Sequence, residues 1–337
     1  MNRLLPVILL FFFFVQIVNA QQITNSRFEQ VGRNVEIYYT LDKQADITIC
    51  ISTDGGLTYS EPLKALAGDV GKNVEPGQKK AIWSPLEECD GIVSDNVVFK
   101  IIPGGKEMLS FSIKGVDFNM ILVEGGTFDM GCTSEQGGRC NDEELPVHSV
   151  TLDSYYIGQT EVTQKLWKAV MGSNPSSNKS DENLPVEMVS WNDCQAFVRE
   201  LNRITKRNFS LPTEAQWEYA ARGGNKSRNY KYAGSNNLLQ VAYYFDNASS
   251  TMPVASRQPN ELGLYDMAGN VWEWCYDFFD VYSSTSQTNP QGPATGGFHI
   301  IRGGCWHNYA AGCRVSYRSM RPRNYSSYNG FRLALIP

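Results

Sequence analysis

The side chains of this 337-residue protein with the strongest intrinsic chemistry are eight cysteines and three histidines. The cysteines are Cys50, Cys89, Cys132, Cys140, Cys194, Cys275, Cys305 and Cys313, and no two stand as Cys-x-x-Cys. A zinc knuckle or a thioredoxin-like pair therefore finds no support. His148, His299 and His307 are isolated, with no His-x-x-x-His spacing for a metal and no surrounding motif of the kind that orients a base beside a serine or cysteine nucleophile. A net charge of −5 without a clustered basic stretch argues against a nucleic-acid partner.

A second chemistry sits near the C-terminus. From Trp306 to Tyr328 the chain carries Trp306, His307, Tyr309, Arg318, Arg321, Tyr325 and Tyr328 among asparagines and serines. Tyrosine, serine and asparagine with a few arginines are the residues of adaptable binding surfaces. Those seven are the candidate ligand-contacting residues, for an exported protein or peptide. The competing reading is an ordinary polar loop surface.

The elements that must position these residues divide in two. Residues 1–20 read as a secretory signal: Arg3, an apolar run Leu4–Val18 too short for a comfortable membrane span, and Val18-Asn19-Ala20 before a cut ahead of Gln21. No other stretch is long and apolar enough to cross a bilayer. Export places the product in the periplasm, on the cell surface or outside the cell, where cysteines tend to pair.

Residues 21–105 alternate apolar and polar residues at Val35–Tyr39 and Ile47–Ile51, and Val97–Ile102 forms a closing run before Pro103-Gly104-Gly105. Such period-two stretches predict a small all-β sandwich, with Cys50 and Cys89 available as a staple. Residues 106–337 predict a mixed α+β domain. It opens on a strand at 118–123, which returns at 127–131. Three capped helices follow, starting after Thr163, Ser190 and Thr213, the last two with capping-box spacing. After Asn225 turns and short strands dominate. Cys132 and Cys140 bracket a polar loop suited to a local disulfide, Cys194 lies on a buried helical stripe as a free thiol, and Cys275 stands within possible reach of Cys305 or Cys313.

Several segments occur together in order: Asn119–Gly131, Glu161-Val162-Thr163, Pro185–Trp191, Leu211–Gly224, Gly263–Trp274, Arg302-Gly303-Gly304 and Gly330-Phe331-Arg332. This set resembles the formylglycine-generating-enzyme, or sulfatase-modifying-factor, family. The resemblance covers roughly residues 110–337 and implies a C-type-lectin-like fold with few regular elements.

Members of that family oxidise a sulfatase cysteine with copper, form carbon–sulfur bonds with iron, serve as surface parts, or display variable ligand faces. The resemblance places the first catalytic cysteine where this chain has Asn308, so Cys305 and Cys313 are not the family pair in register. They are the thiols available for copper if the protein is an oxidase. The three-histidine iron site lacks its ligands. A calcium loop is implied at Asp266, Gly269, Val271 and Glu273, the acids by side chain and the other two by carbonyl, as oxygen-seeking calcium prefers. The resemblance also implies that Trp306–Tyr328 corresponds to the enzyme's peptide-binding cleft. A non-catalytic exported binding or surface-assembly protein is the leading expectation. The alternatives are a divergent copper-dependent oxidase producing formylglycine on an exported sulfatase-like protein, and a diversified ligand-display protein.

Overall fold

The computed structural model describes residues 23–336 apart from 43, 57–58, 61–62, 89–93, 95, 105–107 and 139. The expected signal segment 1–20 and Cys89, the expected partner of Cys50, lie outside the described residues. The chain divides into two compact units, Met1–Lys106 and Glu107–Pro337.

In the first unit two antiparallel sheets share one core. Ile23–Val31, Asn34–Leu41, Gly77–Trp83 and Leu66–Gly68 form one sheet, in that spatial order, and Gly71–Val74, Ala45–Ser52 and Val98–Gly104 form the other. Ile37, Tyr39 and Leu41 from one sheet and Ile47, Ile49 and Phe99 from the other are buried in a single cluster with Trp83. The alternation visible at 35–39 and 47–51 is this shared inner face. The edge strand Ile23–Val31 was not legible because only Ile23 in it is fully buried, so it shows no clean period of two.

Among the described residues the second unit mixes four α-helices, one of them the single turn Leu238–Val241, with three small sheets. Helix α1 (Gln164–Met171) starts at Thr163, whose hydroxyl accepts the Leu166 N–H, and ends at Gly172 in the left-handed region. Helices α2 (Trp191–Thr205) and α3 (Glu214–Ala221) both start on complete capping boxes, Ser190 with Asp193 and Thr213 with Gln216. The capping residues alone placed all three starts.

The largest sheet runs Phe209–Ser210, Ala334–Leu335, Tyr155–Gly158, Val116–Val123, Met108–Ile113. A four-stranded sheet runs Arg318–Arg321, His299–Arg302, Trp272–Phe278, Asn329–Gly330. Helices α1 and α2 pack against one side of the core with Trp167, Phe197 and Trp274. Helix α3 packs into another cluster with Trp217, Tyr155 and Ile300. Among the described residues no helix is long and apolar enough to cross a membrane.

Cys132 and Cys140 are joined by a disulfide. Cys194, Cys275, Cys305 and Cys313 are buried thiols outside any disulfide, so the expected reach of Cys275 to Cys305 or Cys313 is not realised as a bond.

Candidate functional site

The four-stranded sheet and helix α3 hold a frame of buried ion pairs. Arg302, on the strand His299–Arg302, meets the Glu218 carboxylate and lies 3.4 Å from Glu214, and its guanidinium also donates to the carbonyls of Val315 and Ser316. Arg318 donates to both oxygens of Glu214 at 2.8 and 2.6 Å. Arg222 binds Glu218 and Glu135, and Arg314 binds Glu144. Glu214 and Glu218 are one turn apart on α3, so a single helical face offers two carboxylates to arginines arriving from the C-terminal strands. Arg318, expected on the ligand face, belongs instead to this frame: it is 5% exposed and fully committed to Glu214 and to the carbonyls of Glu143 and Asp280.

The turn after Arg302 places the two thiols. Gly303 and Gly304 both have positive φ, and a Cβ on Gly304 would lie 2.7 Å from the Gly312 carbonyl and 3.1 Å from Cys313 Sγ. Only glycine allows that approach. Cys305 donates its S–H to Asn308 Oδ1 at 3.0 Å, and the same oxygen accepts the Cys305 N–H at 2.9 Å. Burial pushes the Cys305 thiol up to about 11, against the opposing pull of the His307 and Asn308 N–H groups. Burial, and then the neighbouring Cys305, push Cys313 up to about 12. Both are thiols at neutral pH in the metal-free protein, and copper would have to displace their protons to bind. Both are also buried, so the pair as arranged is not open to solvent.

Asp266 and Glu273 of the expected calcium set are buried beside a third carboxyl, Glu161, which in the sequence is only one residue of the Glu161-Val162-Thr163 segment. Glu273 is taken up on both oxygens. Arg332 donates to Oε1 at 2.5 Å and Oε2 at 2.6 Å, and the Trp217 indole also donates to Oε2. Glu161 accepts the Asn270 amide and the Val271 N–H. Asp266 accepts the Ala255 N–H and is pushed up to about 6 by burial. Glu161 is raised well above the carboxylate range by burial and then by Asp266 and Glu273. Gly269, with φ of 77°, lies where any Cβ would meet the Tyr243 carbonyl at 2.1 Å. Calcium takes six to eight oxygen ligands, waters included. Glu273 is already bound on both oxygens by Arg332, so a calcium ion here would have to share that carboxylate and complete its shell from Asp266, the Gly269 and Val271 carbonyls and water.

Of the remaining candidate residues, Trp306, His307, Tyr309 and Tyr328 gather, while Arg321 and Tyr325 form a pair of their own. His307 stacks on Tyr328 at 5.7 Å, Trp306 meets both edge-on, and Phe245 packs against Tyr309 at 4.6 Å and His307 at 6.1 Å. Tyr309 is 67% exposed, and Phe245, Tyr328 and Tyr325 are each about two-fifths exposed. Arg321 lies over the Tyr325 ring. Phe245 joins the cluster from more than sixty residues before the aromatic run, where nothing in the sequence marks it. It is fixed there by its N–H, which donates to the Asn308 carbonyl at 3.0 Å.

Two clefts lie elsewhere. One of about 350 Å³ is lined by His148, Glu214, Asp277, Tyr282 and Arg318 among others. Burial and the Glu214 charge push its Asp277 up to about 7. The other, of about 950 Å³, is lined by Thr133, Glu135 and Arg222 among others. Neither contains Cys305, Cys313 or the aromatic cluster.

Against known proteins, the family described as "Sulfatase-modifying factor enzyme 1-like domain" matches residues 114–336. The chaperone protein LppX of Paenibacillus barcinonensis is 33% identical over 275 residues, covering 66% of this chain and 91% of that protein. The formylglycine-generating enzyme of Streptomyces coelicolor is 33% identical over 283 residues, covering 64% of this chain and 88% of the enzyme. Among solved structures, Treponema denticola variable protein 1 superposes with a TM-score of 0.63 at 30% identity, covering 69% of this chain and 100% of that one.

Proposed function

This chain belongs to the family of sulfatase-modifying factor enzyme 1-like domains, and we propose that within it the protein is a non-catalytic, exported binding or surface-assembly protein that engages a protein or peptide through Trp306, His307, Tyr309, Tyr328 and Phe245. The observation that carries this reading is the double use of Asn308. Its side chain holds the Cys305 thiol as a donor, and its carbonyl anchors Phe245 in the aromatic cluster. The position that the resemblance assigns to an oxidising cysteine thus serves to assemble a face. Exposed tyrosine, tryptophan and histidine rings suit such a face, because they offer large contact area at low entropy cost.

Two relatives fit different versions of the proposal. A protein named a chaperone fits binding of another exported chain. A protein named variable fits display of a changeable ligand face. The oxidase alternative rests on the closeness of Cys305 and Cys313, felt as the upward push of one on the other.

The test starts from a random peptide library displayed on phage, from which binders of the mature protein are selected and synthesised. His307→Ala and Tyr309→Ala should each abolish binding of the selected peptides while leaving the thermal melt in place. Undiminished binding by both variants would sink the proposal.

A further inference from the structure

Asn329 follows Tyr328 of the aromatic face directly in the chain, and its side chain is anomalous. The residue is fully buried, and neither Nδ2 nor Oδ1 has a hydrogen-bond partner. A carboxamide stranded in this way is costly, and native structures rarely leave a buried polar group unmatched. The strand Asn329–Gly330 pairs in parallel with Trp272–Phe278, with Asn329 opposite Trp272. The backbone of Asn329 is satisfied, since its N–H reaches the Ser326 carbonyl and its carbonyl accepts from Val189. The deficit is confined to the side chain.

The residue before it is also unusual. Tyr328 has φ of 60°, a left-handed conformation that bulky residues seldom adopt, and its ring is half-exposed and stacked on His307. Strain of this kind clusters at ligand clamps and switch regions. A stranded carboxamide, a strained aromatic residue next to it, and a place in the exposed aromatic cluster therefore coincide at two consecutive positions.

We propose that Asn329 is the main-chain reader of the face: a bound peptide lays one extended residue against its carboxamide, and Tyr328 moves aside to admit it. The proposal rests on the binding reading above. Chemistry selects the ligand class. A carboxamide offers an NH2 donor group and an acceptor oxygen side by side. A residue in an extended chain presents its own N–H and C=O towards the same side, which is how antiparallel strands exchange paired bonds. The two sets match point for point. A carboxylate could only accept and an ammonium could only donate, so either would leave half of Asn329 unmatched. The rings of the aromatic face would hold the flanking side chains and give the sequence preference, while Asn329 reads backbone and is indifferent to sequence.

The experiment uses the full mature chain and the peptides selected above, resynthesised with a backbone ester in place of each amide in turn. For the protein as it stands, one ester position should weaken binding about tenfold, the size of one lost hydrogen bond. Against Asn329→Leu the same ester should make no difference, because the partner atom is gone. Asn329→Leu should also raise the melting temperature of the free protein, which separates a lost contact from a damaged fold.

Esters that weaken binding equally in both proteins would overturn the assignment of Asn329, while loss of binding in Tyr309→Ala would leave the face itself standing. Binding unaffected by Tyr309→Ala would take down both. Asn329-dependent binding of neutral oligosaccharides, with no selected peptide bound, would overturn the peptide class in favour of a polyol.

Discussion

The segment from Arg302 to Arg332 builds two regions of opposite character. Its arginines turn inward: Arg302, Arg314, Arg318 and Arg332 are almost wholly buried, each on a glutamate brought by another part of the unit. Its aromatic residues Trp306, His307, Tyr309 and Tyr328 turn outward and touch mainly each other and Phe245. Arg302 and Arg332 of the inward set stand in the segments that carry the family resemblance, while Arg314 and Arg318, like the outward set, lie between those segments. A buried charge tolerates no change of partner, whereas an exposed ring can be exchanged at little cost to the fold. One stretch of chain can therefore keep its architecture while its binding chemistry varies.

Breaking the frame should have the largest effect. Arg302→Leu takes one of two arginines from the buried Glu218, leaving it only Arg222, and should cost about 3–5 kcal/mol, the usual penalty for removing one member of a buried pair. Chemical denaturation measures it, and a loss below about 1 kcal/mol would mean that the frame is less buried than described.

A smaller effect concerns pH. An unfolded aspartate ionises near 4, but folded Asp277 keeps its proton to about 7. Between those values the folded state holds more protons, so the contribution of this group is complete below about pH 4 and is lost as pH rises through 7. Asp266, held to about 6, acts in the same direction over a narrower window. Asp277→Asn should flatten the fall in melting temperature between about pH 5 and pH 8. A variant with the same slope as the parent protein would remove Asp277 from the account.

The smallest effect on stability belongs to the face. Tyr309→Ala should shift the unfolding free energy by less than about 0.5 kcal/mol, as exposed substitutions do, while peptide binding is lost. A large destabilisation would show that the face is structural and would collapse the contrast.

How much of this was legible follows from the range of each signal. Thr163, Ser190 and Thr213 announced the helix starts because a cap is a local bond between residues three apart. The aromatic run was visible as composition, and four of its rings do assemble. Arg318 was assigned outward because a surface arginine and a buried paired arginine read alike in one sequence; its partner Glu214 lies over a hundred residues earlier. Glu273 looked like a free carboxylate for the same reason, since Arg332 reaches it only through the fold. Phe245 and Asn329 gave no signal at all: one joins the face through a single long-range backbone bond, and the other stands out only because it lacks partners.

The central claim is that Cys305 and Cys313 do no oxidation and that the face above them binds. Its most direct test mixes the reduced mature protein, supplied with copper(I) in air, with a peptide carrying the sulfatase Cys-x-Pro-x-Arg motif, beside an active family enzyme, and follows peptide mass. The expected result is an unchanged cysteine. Formation of formylglycine, lost on Cys305→Ser or Cys313→Ser, would contradict the account and make the buried thiol pair the working centre of the protein.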